Sequence, residues 1–558
     1  AELYGGVKGF IDFGPLGAVL KHNIEEKWRN WFSYRHQDFV VEIESPVVMP
    51  AKVFEASGHV EHFTDYIVEC TNCHRKFRAD HLIEEQAGIK NIERLSATEL
   101  TSIISEKNVK CPECSGKLSE VKTFNLLFKT IIGPYSENLG YARPEAAQGM
   151  FLAFKRVYEV MRNKLPIGIA QLGKVLRNEI SPRQGPIRLR EFTIMELELF
   201  FDPQKPNCPL LKEYENEILR LLPEADIRAG KNEPRAISAR EAIDEGLILN
   251  EWEAYFMILG RKFAESLGIP SDCQMFIEKL PEERAHYSAQ TYDQVVKLDR
   301  WGWVEIAGYS HRTDYDLRRH MEYSGVDLRV SKPLSKPQII ERIIVKPNMK
   351  ILGPKLKGEI KKIINALSML NPEYILRELK NKGYIEVAGY KLSKSELIIT
   401  KEKVEIKSRK FIPQVVEPSF GADRIVYATL EYAYSEKEGR VVLKLPKDIA
   451  PIQVCVFPLV NKDGLPELAI KVYSMLRKRG FRVEYDDSGS IGRRYARADE
   501  IGVPLAITID YQSIEDNTVT LRDRDSWKQV RTKIDNLTEL ISKYLNNEIS
   551  FHQLGTPI

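Results

Sequence analysis

The chain has 558 residues, 43% of them apolar, which is enough for ordinary cores in two to four domains. With 82 basic against 79 acidic side chains the net charge is +3, so the overall field neither demands nor excludes a nucleic-acid partner, which would need a local basic surface. No apolar run approaches the roughly 20 residues of a membrane span, and AELYGGVKGF does not read as a signal peptide, so a soluble cytoplasmic chain is expected.

Gly14-Pro15 precedes a helix expected over 16–34, with Leu20, Ile24, Trp28, Trp31 and Phe32 at helical spacing on one buried stripe. A strand is expected over 39–44, ending at Pro46. Cys70, Cys73, Cys111 and Cys114 form two CxxC pairs that suit tetrahedral zinc, each pair presenting two thiolates from a tight knuckle. The 37 residues between the pairs exceed the usual ribbon spacing, so an inserted small domain is expected over about 66–120. Free structural thiols are the alternative, and His74 and His81 stand near as substitute ligands. Cys208, Cys273 and Cys455 stand alone and read as packing residues. In RPEAAQG, Arg143 and Glu145 flank a proline-fixed bend before an apolar helix, whose positive N-terminus would itself favour Glu145.

LRNEISPRQGPIRLREFTIMELELFF, residues 176–201, reads as strand, loop, strand, with Pro182, Gly185 and Pro186 in the reversal. Arg177 and Glu179 lie two apart and would share one strand face; Arg188 and Arg190 would share it on the return. Guanidiniums beside carboxylates suit forked contact with a phosphate, a salt-bridged hairpin being the plainer alternative. In WGWVEIAGYSHRTDYDL, residues 301–317, Glu305 alternates with Trp301 and Trp303. A carboxylate there needs a partner, either a bound cation or Arg312. Residues 322–411 are Lys-rich and read as an inserted α+β module: two helices, then YIEVAGYKL paired with ELIITKEKVEI as a hairpin. EPSFGADR puts Glu417 and Ser419 on one strand face about Pro418. Gly421 then opens a helix with Arg424 in its first turn, a cation at a positive helix end that hints at phosphate.

Beyond residue 451 strands and helices alternate, as in an open α/β layer domain. Arg493, Arg494 and Arg497 beside Tyr495 on one exposed element suit splayed RNA bases, with a salt-bridged helix start as the alternative.

Arg-Asn-Glu, a loop, then Arg-Leu-Arg-Glu-Phe resembles motif 2 of class II aminoacyl-tRNA synthetases. Together RPEAAQG, EISPRQG and EPSFGADR resemble the glycyl-tRNA synthetases of the archaeal and eukaryotic homodimeric type, and the likeness runs nearly the whole length. It implies an α+β class II catalytic domain over 1–447, an antiparallel sheet flanked by helices and carrying both insertions. An α/β anticodon-binding domain over 448–558 follows. The implied activity is a glycine–tRNA ligase using ATP and Mg2+ on glycine and tRNA(Gly). Helix 16–34 and the strand after it resemble motif 1, which implies a homodimer.

For the site, the resemblance implies that Arg177 meets the α-phosphate, with Arg188 and Arg424 on the outer phosphates. Phe192 and Arg424 would sandwich the adenine and Glu179 accept its amino group, with Asn178, Leu189 and Ile306 completing the ATP site. Glu305 would help hold ATP-bound magnesium, and the catalytic set would be Arg177, Glu179 and Arg424. Glu145, Glu196 and Glu417, with Pro418 and Ser419, would hold glycine. Three carboxylates invite its ammonium group and repel one another when empty. Arg493, Arg494, Tyr495 and Arg497 would face the anticodon. Zinc rests on the cysteines alone. The rivals are a sister synthetase of the same subgroup and a non-catalytic, synthetase-like RNA binder.

Overall fold

The computed structural model describes residues 2–89, 92, 95–135, 137–182, 185–356 and 360–558, so Arg183 and Gln184 of the expected chain reversal lie outside it. The chain folds as two compact units, 1–328 with 413–558, and 329–412.

In the first unit the central sheet uses β1 (Val40–Glu42), β2 (Ile167–Leu176), β3 (Glu191–Phe201), β4 (Ile218–Leu222), β5 (Arg235–Ser238), β6 (Gln274–Glu278), β7 (Gln290–Leu298), β8 (Gly302–Thr313) and β9 (Gln414–Gly421). The nine strands lie in the order β1-β2-β3-β9-β8-β7-β6-β4-β5. The run from β2 to β6 is antiparallel throughout, while β1 joins β2 and β4 joins β6 in parallel. Helices α1 (Pro15–Phe32), α2 (Ala147–Val160), α3 (Glu251–Ser266), α4 (Tyr315–Ser324) and α5 (Ala422–Ala433) flank the sheet. Pro15 fixes the first turn of α1, and its buried stripe of Leu20, Ile24, Trp28 and Phe32 follows the helical repeat. Trp28 stacks on Phe32 at 5.3 Å and Phe32 meets Phe420 of β9 at 4.8 Å, so α1 lies against the strand that carries Glu417 and Ser419.

Two-residue alternation along Val454–Pro458 sends Val454 and Val456 into one core and Cys455 and Phe457 into another. Both faces of that C-terminal sheet are therefore covered. Its strands run 483–485, 454–458, 505–509, 518–523, 529–533 and 556–557, parallel among the first three and antiparallel thereafter. Cys208 and Cys455 are buried packing residues and Cys273 is half-buried.

The second unit is a long antiparallel pair, Val330–Pro347 with Leu397–Phe411, carrying three helices and a short hairpin around Leu352, Ile363, Leu367, Ile375 and Ile385. One expectation fails here. YIEVAGYKL closes on itself, Tyr384–Val387 against Tyr390–Ser393, because Ala388 and Gly389 take positive φ angles of 50° and 82° in a two-residue turn. ELIITKEKVEI is thereby left to pair with the module's entering strand. Among the described residues no helix is long and apolar enough to cross a membrane.

Candidate active site and cysteine cluster

β2 ends at Leu176, so Arg177 and Glu179 are not strand neighbours on one face. The Arg177 amide still donates to Arg190 O, but the Asn178 amide turns away to Leu126 O. Arg177 reaches across the cleft instead, with Nε on Pro144 O at 3.1 Å and its guanidinium between the Phe63 and Phe192 rings at 5.7 and 5.3 Å. Arg188 and Arg190 also diverge. Arg188 faces the cleft beside Glu179 at 3.7 Å, whereas Arg190 spends its donors on the Glu179 and Lys8 carbonyls.

Two adjoining cavities lie over the sheet and share Arg177, Glu305 and Ser419. The first is walled by Phe192 and Arg424, with Glu179, Arg188, Leu189 and Ile306 around them. Arg424, in the first turn of α5, donates to Ile187 O and Glu305 O, both at 2.9 Å, and sits 3.3 Å from the Glu305 carboxylate. Asn178 of the expected ATP set does not line this cavity.

The second cavity is lined by Glu145, Glu196, Glu417 and Ser419, but not by Pro418. Its carboxylates are not left to repel one another, because Arg312 of β8, fully buried, holds them together. Arg312 donates to Glu417 at 2.9 Å, to Asp316 at 3.0 Å and to Glu145 at 3.2 Å, and stacks on the Tyr287 ring at 3.7 Å. Arg312 therefore does not pair with Glu305. A register shift opposite Gln294 and Val295 puts Glu305, Gly308 and Ser310 on the same cleft face, and Glu305 turns to Arg424.

Burial would raise Glu145, but Arg312 and His59 hold it well below the usual carboxylate range. Burial would lower Arg312, but Asp316, Glu417 and Glu145 keep it firmly charged. Glu417 is raised by burial beyond what Arg312 offsets. Glu196 accepts from Ala146 N at 2.7 Å and Ser419 Oγ at 2.8 Å, yet burial and then Glu417 and Glu145 push it up to about 8. Glu198, two residues on and facing the same way, is fully buried with no hydrogen-bond partner among the described residues; burial and Glu417 hold it protonated. One guanidinium is thus set among five carboxylic groups, of which Glu196 and Glu198 are pushed towards the protonated form.

Beyond Arg312, sequence reasoning missed Tyr287, whose hydroxyl donates to Glu145 at 3.3 Å, and the Lys279–Asp293 pair at 3.1 Å beside Glu305. Burial, then Glu305, raises Asp293 to about 7 despite Lys279. The acidic Asp316 four residues after Arg312 was the visible signal.

The four sulfurs of Cys70, Cys73, Cys111 and Cys114 lie within 4.8 Å of one another. Both knuckles close alike: His74 and Ser115, each just after the second cysteine, take φ of 56°, and their amides donate to Cys70 O and Cys111 O. The Asn72 amide donates to Cys70 Sγ at 3.4 Å, and a side chain at Gly116 would press on Cys70 and Cys114. That all-sulfur donor set fits a thiophilic divalent ion. His74 bonds to Glu69 instead and His81 is not in the cluster.

In the C-terminal domain the four expected RNA-facing residues do not share an exposed face. Arg493 and Arg497 are exposed, but Arg494 is buried on the Pro458 and Gly489 carbonyls. Tyr495 bonds Thr508 at 2.6 Å against Phe457 and the Arg522 guanidinium. Helical spacing carries Arg494 and Ala498 inward together, so both interior residues serve the fold.

Replacing Arg312 by Met strands Glu145, Asp316 and Glu417, and is expected to destabilise the protein by roughly 3–5 kcal/mol at pH 7. Glu145 lies below its unfolded pKa in the native state, so it stabilises above about pH 4.5 and this contribution fades on acidification. The Glu145 share of the variant's deficit, read from denaturation midpoints, should therefore hold from pH 7 down to about 4.5 and shrink below it; a share that stays constant below pH 4.5 contradicts the assignment.

Residues 453–544 match the model of the anticodon binding domain family. The chain is 54% identical over 560 residues to a glycine–tRNA ligase of Aeropyrum pernix, covering 100% of this chain and 96% of that one. A glycine–tRNA ligase of Pyrococcus horikoshii is 48% identical over 548 residues, 98% and 95% of the two chains. Among solved structures, a prolyl-tRNA synthetase of Cryptosporidium parvum complexed with L-proline and AMP aligns at 14% identity and a TM-score of 0.48, over 97% of this chain and 74% of that one. The chain belongs to the glycine–tRNA ligase family.

Proposed function

We propose that the protein joins glycine to tRNA(Gly) in two steps, with ATP as the energy source. The observation that carries this is the meeting, at Arg177, Glu305 and Ser419, of a cavity walled by an aromatic ring and a guanidinium with one lined by buried carboxylates. A glycine carboxylate oxygen attacks the α-phosphorus, the bond to the bridging oxygen breaks, and pyrophosphate leaves. The 3′-terminal ribose hydroxyl of tRNA then attacks the glycyl carbonyl, losing its proton as AMP departs. The first step needs no strong base, because the nucleophile arrives ionised; alignment and neutralisation of phosphate charge carry it.

Arg177 takes the α-phosphate, Arg188 and Arg424 the outer phosphates, and Phe192 and Arg424 hold the adenine, whose amino group Glu179 accepts. Glu145, Glu196 and Glu417 receive the glycine ammonium, with Ser419 supporting Glu196. Glu305, with Asp293 beside it, would hold Mg2+, which when bound neutralises phosphate charge. A pocket that just admits glycine excludes larger amino acids by overlap, so no editing is needed.

Zinc in the cysteine cluster would tie 64–125, the small insertion, to one geometry. The catalytic region extends to about residue 447 and the RNA-reading domain from 448, where Arg493 is exposed towards an anticodon loop while Arg497 is held by Asp486 and the Ser488 carbonyl. The 329–412 module holds 20 Lys and Arg against 8 Asp and Glu, a charge of +12 against −9 for the rest of the chain, which supports contact with tRNA phosphates. Exposed Leu3, Tyr4, Val7, Phe10 and Ile11 before α1 support burial by a second copy in a homodimer. The site of this work would be the cytoplasm.

Exchange of pyrophosphate into ATP, run without tRNA over all twenty amino acids, should proceed with glycine alone and vanish in Arg177→Ala. Exchange with another amino acid would move the protein to a sister activity, and full activity in Arg177→Ala would overturn the site. Metal analysis should find about one zinc per chain, lost in Cys73→Ser and Cys111→Ser. Wild-type protein free of zinc with four titratable thiols would overturn that assignment.

A further inference from the structure

Lys21 is the buried cation of α1, and none of the roles above uses it. Its Nζ donates to Thr193 Oγ1 at 2.7 Å and to Asp423 Oδ1 at 3.1 Å, and lies 4.8 Å over the Phe13 ring. The second oxygen of Asp423 accepts the Thr193 amide at 2.6 Å. All three side chains are buried. Packing alone does not call for an ion pair here, since apolar side chains of similar volume hold a helix to a sheet at least as well.

What the pair adds is connection. Thr193 is the chain neighbour of Phe192, and Asp423 is the chain neighbour of Arg424. On β3 successive side chains point to opposite faces, so Thr193 turns towards α1 while Phe192 faces the cavity. In the first turn of α5, Asp423 reaches down to β3 while Arg424 reaches over to Ile187 O and Glu305 O. The two walls of the nucleotide cavity are therefore each one residue from a member of this network.

We propose that Lys21 is a positioning residue for the nucleotide: through Asp423 and Thr193 it fixes the gap between Phe192 and Arg424 into which the adenine fits. The assignment rests on the functional reading above. Lys21 touches neither substrate nor reacting atoms; it acts by setting where two residues that do touch the nucleotide stand. A misplacement of one wall weakens the stacked base while the carboxylate pocket around Arg312, on the far side of Ser419, is untouched.

The test is calorimetric titration of the full-length protein with ATP alone and with glycine alone. It compares wild type, Lys21→Met, Lys21→Arg, Asp423→Asn and the Lys21→Met/Asp423→Asn double variant, with Tm recorded for each. Lys21→Met should weaken ATP roughly tenfold or more and glycine less than twofold, with Lys21→Arg recovering most of the loss. The double variant removes both buried charges, so its Tm should return towards wild type while ATP binding stays weak. Recovery of ATP affinity together with Tm in the double variant would show a purely structural pair and overturn the proposal. So would equal losses for ATP and glycine in Lys21→Met. Wild-type protein that bound no ATP would instead overturn the functional reading; normal wild-type binding with Lys21→Met unchanged would overturn only the role of Lys21.

Discussion

Arg312 is a fully buried guanidinium whose donors end on carboxylates from three different places in the chain: Glu145 before α2, Asp316 in α4 and Glu417 in β9. Taking such charges out of water is costly unless each finds its partner, and removal of any one leaves the others stranded. The helix starts that frame the carboxylate-lined cavity are thereby fixed to the sheet. Gln148 of α2 completes the network, donating to Glu145 and Asp316 at 2.9 Å each. The groups that would repel are held by one cation, and burial with the neighbouring carboxylates pushes Glu196 and Glu198 towards the protonated form.

Function follows from where this acidic pocket sits. It adjoins the cavity walled by Phe192 and Arg424, and Arg177, Glu305 and Ser419 belong to both. In the proposed reaction, an ammonium drawn to the carboxylates would bring its own carboxylate back towards Arg177, and phosphate charge would be met by Arg188 and Arg424. The chemistry asked of the protein is alignment and charge neutralisation, which suits groups rigidly held on strands and helix first turns.

RNE, RLREF and EPSFGADR were legible because their chemistry stands in short local words, and Arg177, Glu179, Arg188, Phe192, Ser419 and Arg424 do line the cleft, whereas Asn178, Arg190 and Pro418 do not. Arg312 was not, since its partners lie 105 and 167 positions away in Glu417 and Glu145, and a strand irregularity reverses the face count from Glu305. Strand periodicity also misplaced Arg177 and Glu179, because the ladder ends at Leu176, before either residue. The Arg493–Arg497 run reads as a basic patch, yet one helical turn sends Arg494 inside. The cysteine cluster was visible from spacing alone, as the knuckle geometry is local to each CxxC pair.

In the proposed reaction the carboxylates around Arg312 receive the glycine ammonium, and Glu196, pushed up to about 8, gives up a proton as it arrives. Glycine binding followed by calorimetry at pH 7, in buffers of differing ionisation enthalpy, counts protons exchanged. Because burial, Glu417 and Glu145 push Glu196 up to about 8 and an ammonium beside it would lower that value, binding should release close to one proton and tighten as pH rises towards 8. Release should disappear in Glu196→Gln. Glycine binding with no proton released at pH 7, or with proton uptake, would contradict the account.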